Sequence, residues 1–177
     1  MTYELESVRT QGMDLTVLTD NTAVTSVISL ADVKSHINVD FNDNDTKITE
    51  LLKTAFREVE LFTQKALKTK TIRQSYTEIN GTIELAYSPV QSLVSVTDSN
   101  LVPITNYTKS FDNSKISAYS ESGIVIKYNC GYTDLPSDLK NAILDIVLVD
   151  YDNSIIDKRL ALKQIKDRIR HYRPLYV

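Results

Sequence analysis

The sequence has little of what most active sites are built from. Its 177 residues include one cysteine, two histidines, four glycines and no tryptophan. A single cysteine excludes an internal disulfide and fits a reducing cytoplasm. The chain has no glycine-rich phosphate loop and no Cys or His pairs at zinc-binding spacing. These absences predict a protein that is not an enzyme and has no catalytic residue, metal or cofactor.

Long apolar runs are also missing. No stretch approaches 18 apolar residues, so we expect no membrane-spanning helix and no membrane partner. The N-terminal stretch "MTYELESVRTQGMDLT" has neither a basic start nor an apolar run, so we expect no signal peptide. With 42% hydrophobic and 24% charged residues, the composition is ordinary for a soluble protein. The length fits one domain, or one domain with an arm.

Charge is unevenly distributed. Residues 154–177 contain seven Lys or Arg against Asp157 and Asp167, which gives this segment a formal charge of +5. The chain as a whole carries −3, so the other 153 residues carry −8. A basic end on an acidic body suggests an arm that seeks an acidic partner. The alternative is an ordinary solvated amphipathic helix.

Helical periodicity appears in three central segments. "SLADVKSHI" predicts a helix over 29–37, with Ser29 and Asp32 at capping positions. A long amphipathic helix is predicted over 43–67, because apolar residues recur there at steps of three and four. A third helix is predicted over 136–152, where Pro136 suits the first turn.

The acidic cluster between the first two helices invites a calcium interpretation. An EF-hand loop beginning at Asp40 needs glycine at its sixth position and glutamate at its twelfth. Asp45 and Leu51 stand there instead. We interpret the cluster as a helix cap, with its carboxylates at the positive end of the helix dipole.

Residues 69–130 change to a two-residue alternation, which predicts strands. Asn80–Gly81, between two alternating runs, predicts a hairpin turn. Cys130 alternates with Ile126 and Tyr128 and has no base nearby in sequence, so we interpret it as a core residue rather than a nucleophile.

These patterns together predict an α+β protein. It is a helical bundle, with a long central helix and C-terminal helices, carrying a small antiparallel β-insertion at about 70–130. We expect an extended N-terminal arm over 1–28, with a short strand near Ala23–Ile28. A main domain over 29–153 follows, with the insertion at 69–130, and then a basic amphipathic helix and arm over 154–177.

Four stretches in fixed order resemble the head–tail connector, or adaptor, proteins of tailed bacteriophages. The resemblance covers about 29–153, and its most specific motifs are "YSPVQSLVSV" and Y-x-x-G-Y-x-x-L-P-x-x-L-K. The four stretches are "SLADVKSHINVD", "DTKITELLKTAFREVELFTQKALKTKT", "IELAYSPVQSLVSVTD" and "IVIKYNCGYTDLPSDLKNAILDIVLVDYDN".

The resemblance implies a structural virion protein at the head–tail interface, made in the host bacterial cytoplasm. It implies a ring, twelve-fold in the virion, that docks beneath the portal and continues the DNA channel without sequence-specific DNA binding. The next neck, stopper or tail protein would bind to this ring. The ending "IRHYRPLYV" resembles the family's terminal segment, which implies a set of portal-docking residues. They are Arg168, Ile169, Arg170, Tyr172, Arg173, Pro174, Leu175, Tyr176 and Val177.

The alternative is a nucleic-acid-binding protein that uses the basic C-terminal helix. Against it, the segment interleaves apolar residues at helical spacing, namely Leu160, Leu162, Ile165, Ile169 and Tyr172. Such a stripe suits docking in a protein groove, and a pure phosphate-binding helix does not need it.

Overall fold

The computed structural model describes residues 13–19, 23–152, 154 and 156–173. Backbone contacts divide the chain into two compact units, each made of two stretches of sequence. Residues 1–20 and 69–131 belong to the first, which we call the β unit. Residues 21–68 and 132–177 belong to the second, the helical unit. In the described residues no helix is both long enough and apolar enough to cross a bilayer.

The described part of the helical unit contains five α-helices and a terminal 3-10 turn. The turn is Arg170–Tyr172, and the helices are α1 Val24–Val27, α2 Leu30–His36, α3 Asp45–Thr63, α4 Ser137–Tyr151 and α5 Lys158–Arg168. Ser29 caps α2 as expected, since its hydroxyl accepts a 3.1 Å hydrogen bond from the Asp32 amide. The long helix α3 ends at Thr63, earlier than predicted, because Gln64 adopts a left-handed conformation with φ of 54°.

The core of this unit lies where α3, α4 and α5 meet. Apolar residues at helical spacing on α3 and α4 supply most of it, and α5 adds Ile165 with the following Ile169. The fully buried members include Ile28, Val33, Ile48, Leu52, Ala55, Leu139, Ile143, Ile146 and Val147.

The described part of the β unit contains seven strands in two antiparallel sheets. The strands are β1 Met13–Thr19, β2 Lys70–Tyr76, β3 Ile79–Glu84, β4 Val90–Thr97, β5 Tyr107–Lys109, β6 Lys115–Ser120 and β7 Ile124–Cys130. One sheet has the order β1-β2-β7-β4 and the other β3-β6-β5. The protein is therefore α+β as predicted, but the β region is not the small insertion that was expected. It is a unit comparable to the helical one, and it recruits β1 from outside 69–130.

The short strand predicted near Ala23–Ile28 is wrong, because this segment contains helix α1. Val24, Val27 and Ile28 stand at helical spacing and all face the helical core, and Ile28 is completely buried. The β-branched composition suggested a strand, but burial on one face is satisfied by a single helical turn.

The hairpin predicted at Asn80–Gly81 is also wrong. Both residues lie inside β3, where they pair with Tyr119 and Ala118 of β6. Gly81 does have a positive φ, of 123°, but no chain reversal occurs there. The local turn signal was overridden by the distant pairing with β6, which buries Ile79 and Ile83.

Cys130 ends β7 and is completely buried, which confirms its interpretation as a core residue. It lies opposite Lys70 of β2 and Val90 of β4. The residue that follows it joins the two most specific sequence motifs. The Gly131 amide donates to the Pro89 carbonyl at 2.9 Å, and the Gln91 side chain donates to the Gly131 carbonyl at 2.9 Å.

A buried polar residue, Gln74, fastens the loop after β3 to the four-stranded sheet. Its side-chain oxygen accepts from the Ala86 amide at 3.0 Å and from the Tyr128 hydroxyl at 3.1 Å. Its side-chain nitrogen donates to the Glu84 carbonyl at 3.2 Å. Burial raises the pKa of Tyr128, so its hydroxyl keeps its proton and remains a donor. The amide of Gln74 thus satisfies backbone groups that the sheets leave unpaired.

The turn before β7 has no space for a side chain at Gly123. A Cβ atom there would lie 2.5 Å from the Tyr76 carbonyl oxygen and 2.6 Å from the Ser99 hydroxyl, and its φ of +79° disfavours other residues. We expect Gly123→Ala to lower the free energy of unfolding by roughly 2 kcal/mol or more. Denaturant unfolding measures this. The exposed neighbour provides the control, since Ser122→Ala is expected to change stability by less than about 0.5 kcal/mol.

Candidate docking surface

The residues predicted to dock on the portal begin at the end of α5. Arg168 closes the helix, Ile169 follows it, and Arg170 and Tyr172 lie in the 3-10 turn. Arg173 is the last described residue. Pro174, Leu175, Tyr176 and Val177 lie outside the described residues.

The apolar stripe of this segment is already used inside the subunit. Ile165 is 5% exposed and Ile169 is 1% exposed, and both belong to the core of the helical unit. Leu162 and Tyr172 are half-buried and pack against the same core. The groove that accepts the stripe is therefore formed by the chain's own helices, not by a partner. The helix is well packed in the single chain rather than loosely attached.

Ion pairs fix α5 along the same contact. Lys166 Nζ lies 2.7 Å from a carboxylate oxygen of Glu58 on α3. Arg168 pairs with Asp145 on α4. Lys158 Nζ donates to the Asp150 carbonyl at 3.4 Å. Part of the tail's positive charge is thus matched by acidic residues of its own body.

Asp145 also binds a histidine, and this cluster was missed by sequence reasoning. His36 Nε2 of α2 lies 2.9 Å from one carboxylate oxygen, while Arg168 binds the other. The three residues belong to three different helices, α2, α4 and α5, so no local sequence motif could predict that they meet. Its contacts join α2, α4 and α5, so the cluster holds these three helices together.

Asp150 of α4 is a partly buried carboxylate close to Glu58 of α3. Burial, with the nearby Glu58 carboxylate as a second cause, raises the pKa of Asp150, and Lys158 only partly offsets this. The charged form of Asp150 is thus less stable in the folded protein than in the unfolded chain.

An open groove of about 560 Å³ runs along the outer side of α5. Phe62 of α3 and Leu162 form its apolar floor, and its rim carries three cations, Arg159, Lys163 and Lys166, beside one carboxylate, Asp167. Lys166 Nζ lies 6.0 Å from the centre of the Phe62 ring. The guanidinium carbon of Arg173 lies 5.7 Å from it. Arg159 and Lys163 have no ion-pair partner among the described residues, so the rim keeps an excess of positive charge over its single carboxylate, Asp167.

The acidic cluster before α3 forms a pinned loop. Lys34 Nζ donates to Asn42 at 2.6 Å and to Asp45 at 2.8 Å, and only 13% of its side chain is exposed. The predicted cap is only partly seen. Asn44 occupies the N-cap position, but its side chain donates to the Tyr151 hydroxyl at 3.1 Å instead of capping the helix, and Asp45 lies in the first turn. In the described part of the chain no His, Cys, Asp and Glu side chains are grouped to hold a metal.

These features suit binding to other macromolecules better than catalysis. The described surface offers exposed arginines, an apolar groove with a basic rim and a pinned acidic loop.

Comparison with known proteins agrees with this interpretation. The model of the phage gp6-like head–tail connector protein family matches residues 27–133. The chain belongs to this family. The resemblance drawn from the sequence motifs is therefore confirmed. No curated protein matches the chain significantly.

Solved structures of similar fold come from gene transfer agent (GTA) particles. A chain in the neck of the empty GTA particle, computed with C6 symmetry, superposes with a TM-score of 0.69 at 17% identity, covering 93% of this chain and 97% of that one. A chain in the neck of the native particle, computed with C12 symmetry, gives 0.68 at 16% identity with the same coverage. A chain of the native virion gives 0.68 at 17% identity, covering 92% and 96%. At such identity the likeness establishes a shared fold over nearly the whole chain.

The packing of α5 predicts that this helix is folded in the isolated subunit. Ile165→Ala is expected to lower the free energy of unfolding by about 2–4 kcal/mol, because it leaves a cavity between α5 and the core. Hydrogen exchange should show protected amides in α5 of the wild type. The half-exposed Leu160 is the control, and its change to alanine should cost much less. Equal effects of the two changes, or unprotected α5 amides, would contradict this packing.

The raised pKa of Asp150 predicts that replacing it with asparagine stabilises the protein, and that this stabilisation depends on pH. Because the folded pKa lies above the unfolded value, ionisation of Asp150 destabilises the fold as pH rises through the folded pKa. Asp150→Asn is expected to raise the melting temperature at pH 7 and to lose this advantage at about pH 3, where aspartate is largely protonated. Thermal unfolding across pH measures the difference. Asp138→Asn, at an exposed site in the first turn of α4, should give no such gain.

Proposed function

We propose that this protein is a structural virion protein, a head–tail connector that forms a ring beneath the portal and extends the DNA channel. The ring would provide the docking surface for the next neck or tail protein, and the subunit would have no enzymatic activity. The observation that carries the proposal is the match to the head–tail connector family over 27–133. This stretch includes parts of both compact units.

The ring is supported by the necks in which the similar folds were solved. Those particles were computed with C6 and with C12 symmetry. A subunit that contacts its neighbours through two unlike faces closes into a cyclic ring. Twelve copies per neck is the number we propose.

The charge distribution supports a channel that lets DNA pass. The chain carries a formal charge of −3, and Lys166 and Arg168 of its basic segment are paired with Glu58 and Asp145. An acidic lining repels phosphates, so DNA would slide without being held. The same pairs weaken the case for a nucleic-acid-binding protein, which needs these cations for phosphates.

The proposed portal-docking segment is the end of the chain. Some of its residues would anchor it to the subunit, and others would contact the portal. Ile169 and Tyr172 anchor the segment to the helical core. Arg170 and Arg173 are exposed and point to a contact with an acidic partner. Arg168 is more than half exposed yet bound to Asp145, so it would contribute less. The ending Pro174, Leu175, Tyr176 and Val177 would supply the apolar part of the contact.

The test is co-sedimentation of the folded protein with its portal across a salt series. Arg170→Glu with Arg173→Glu is expected to weaken binding several-fold at low salt and less at high salt, because exposed charges are screened over about 8–10 Å. Deleting residues 174–177 is expected to weaken binding at every salt concentration. Arg168 is left intact, since reversing its charge would also disturb the contact with Asp145.

The matched control reverses two exposed lysines of the β unit, Lys109→Glu with Lys115→Glu. It makes the same change in net charge and is expected to leave portal binding intact. If the truncated protein and both charge variants bind the portal alike, the end of the chain is not the docking segment. Tight, salt-dependent binding of the isolated protein to DNA would favour the nucleic-acid-binding alternative.

A further inference from the structure

An exposed aromatic side chain stands on the pinned loop before α3. Phe41 is 47% exposed, and its neighbours Asp40 and Asp43 are exposed as well. Neither aspartate has an ion-pair partner among the described residues. The Lys34 side chain of α2 holds the loop in place, because it donates hydrogen bonds to Asn42 and Asp45. We call residues 40–43 the acidic knob.

Hydrogen bonds within the single chain fix the conformation of the acidic knob. The Val39 amide donates to the Lys34 carbonyl at 2.9 Å, and the Asp45 amide donates to the Asn42 carbonyl at 3.1 Å. Val39 itself packs against the helical core. An aromatic side chain fixed on such a loop loses little conformational entropy when it binds, so it makes a good interface anchor.

The groove along α5 has the opposite character. Its floor of Phe62 and Leu162 is apolar. Its rim has more cations than carboxylates, since Asp167 is the one acidic residue there, and Arg159 and Lys163 have no ion-pair partner in the described chain. We call it the basic groove. An aromatic ring flanked by two carboxylates matches this groove in both polarity and charge.

The knob and the Phe62 end of the groove lie at opposite ends of α3. Asp45 begins this helix and Phe62 lies in its last turn, 17 residues later. At 1.5 Å per residue, the two are separated by about 26 Å along the helix axis. A subunit therefore cannot place its own knob beside its own Phe62.

We propose that the acidic knob of one copy of this chain binds in the basic groove of the next copy. The occupant of the groove is thus a second copy of the chain. Charge complementarity supports this occupant, and the separation of the two surfaces along α3 prevents a subunit from filling its own groove. The contact is heterologous, since unlike surfaces meet, and such contacts close into rings. The proposal rests on the ring of the proposed function and names its subunit interface.

Cysteine cross-linking tests the contact directly. Phe41→Cys protein is mixed with Leu162→Cys protein under mild oxidation. The experiment is done twice, once with the free proteins at high concentration and once with the proteins bound to the portal. The mixture is expected to give a disulfide-linked dimer in at least several-fold excess over either variant alone. The double variant, Phe41→Cys with Leu162→Cys, is expected to give a ladder of multimers. Wild-type protein should give neither, because Cys130 is buried.

Charge reversal supplies the matched control. Arg159→Glu with Lys163→Glu in the groove partner is expected to lower the cross-linked yield roughly tenfold. Asp40→Lys with Asp43→Lys in the knob partner should restore it, which a merely misfolded groove could not allow. Lys109→Glu with Lys115→Glu in the β unit should leave the yield unchanged.

Each result separates this interface from portal docking. No excess of the mixed dimer, free or on the portal, overturns the proposed interface even if the protein still sediments with portal. A cross-link that survives groove reversal also overturns it, since charge would not guide the contact. Cross-linking that is strong and charge-dependent without portal binding supports the interface and counts against the docking function.

Discussion

The position of α5, and with it the basic groove, depends on the burial of two isoleucines, Ile165 and Ile169, beside a row of ion pairs. Their side chains join the buried core to which α3 and α4 also contribute, so the apolar face of α5 points inward. Lys166 and Arg168 then meet Glu58 and Asp145, while Arg159 and Lys163 remain on the outer side. Hydrophobic burial supplies the stability, and the ion pairs select the orientation. The basic groove and the exposed arginines at the end of the described chain follow from that orientation.

This arrangement divides the basic charge of the chain into two groups with different roles. The cations facing inward stabilise the subunit and are unavailable to a partner. Those facing outward lie along the basic groove or at the end of the chain, where Arg170 and Arg173 are exposed. A ring subunit needs separate surfaces for its neighbours and for the proteins above and below it. The surfaces that we propose for these contacts are the acidic knob, the basic groove and the exposed Arg170 and Arg173, and all belong to the helical unit.

The β unit depends instead on pairings between distant segments. β2 lies between β1 and β7, so its neighbours in the sheet come from the beginning and the end of the unit. Gln74 and Tyr128 then tie the loop after β3 to this sheet through buried hydrogen bonds. Because a strand is stabilised by its partners, local turn signals such as Asn80–Gly81 carry limited weight. The distant β6 determined the conformation of that dipeptide.

The sequence by itself determined the helices α2, α3 and α4, the strand character of 69–130, the burial of Cys130 and the family. Helical spacing, capping residues and two-residue alternation act locally, so they can be seen without a structure. Only the tertiary structure decided that 24–27 is helical, that β1 joins the sheet and that the stripe on α5 faces its own core. It alone brought His36, Asp145 and Arg168 together and placed Arg159 and Lys163 near Phe62 with no ion-pair partner among the residues that the structure describes. An amphipathic stripe shows that a helix buries one face, but the partner that covers it is set by chain packing across more than a hundred residues.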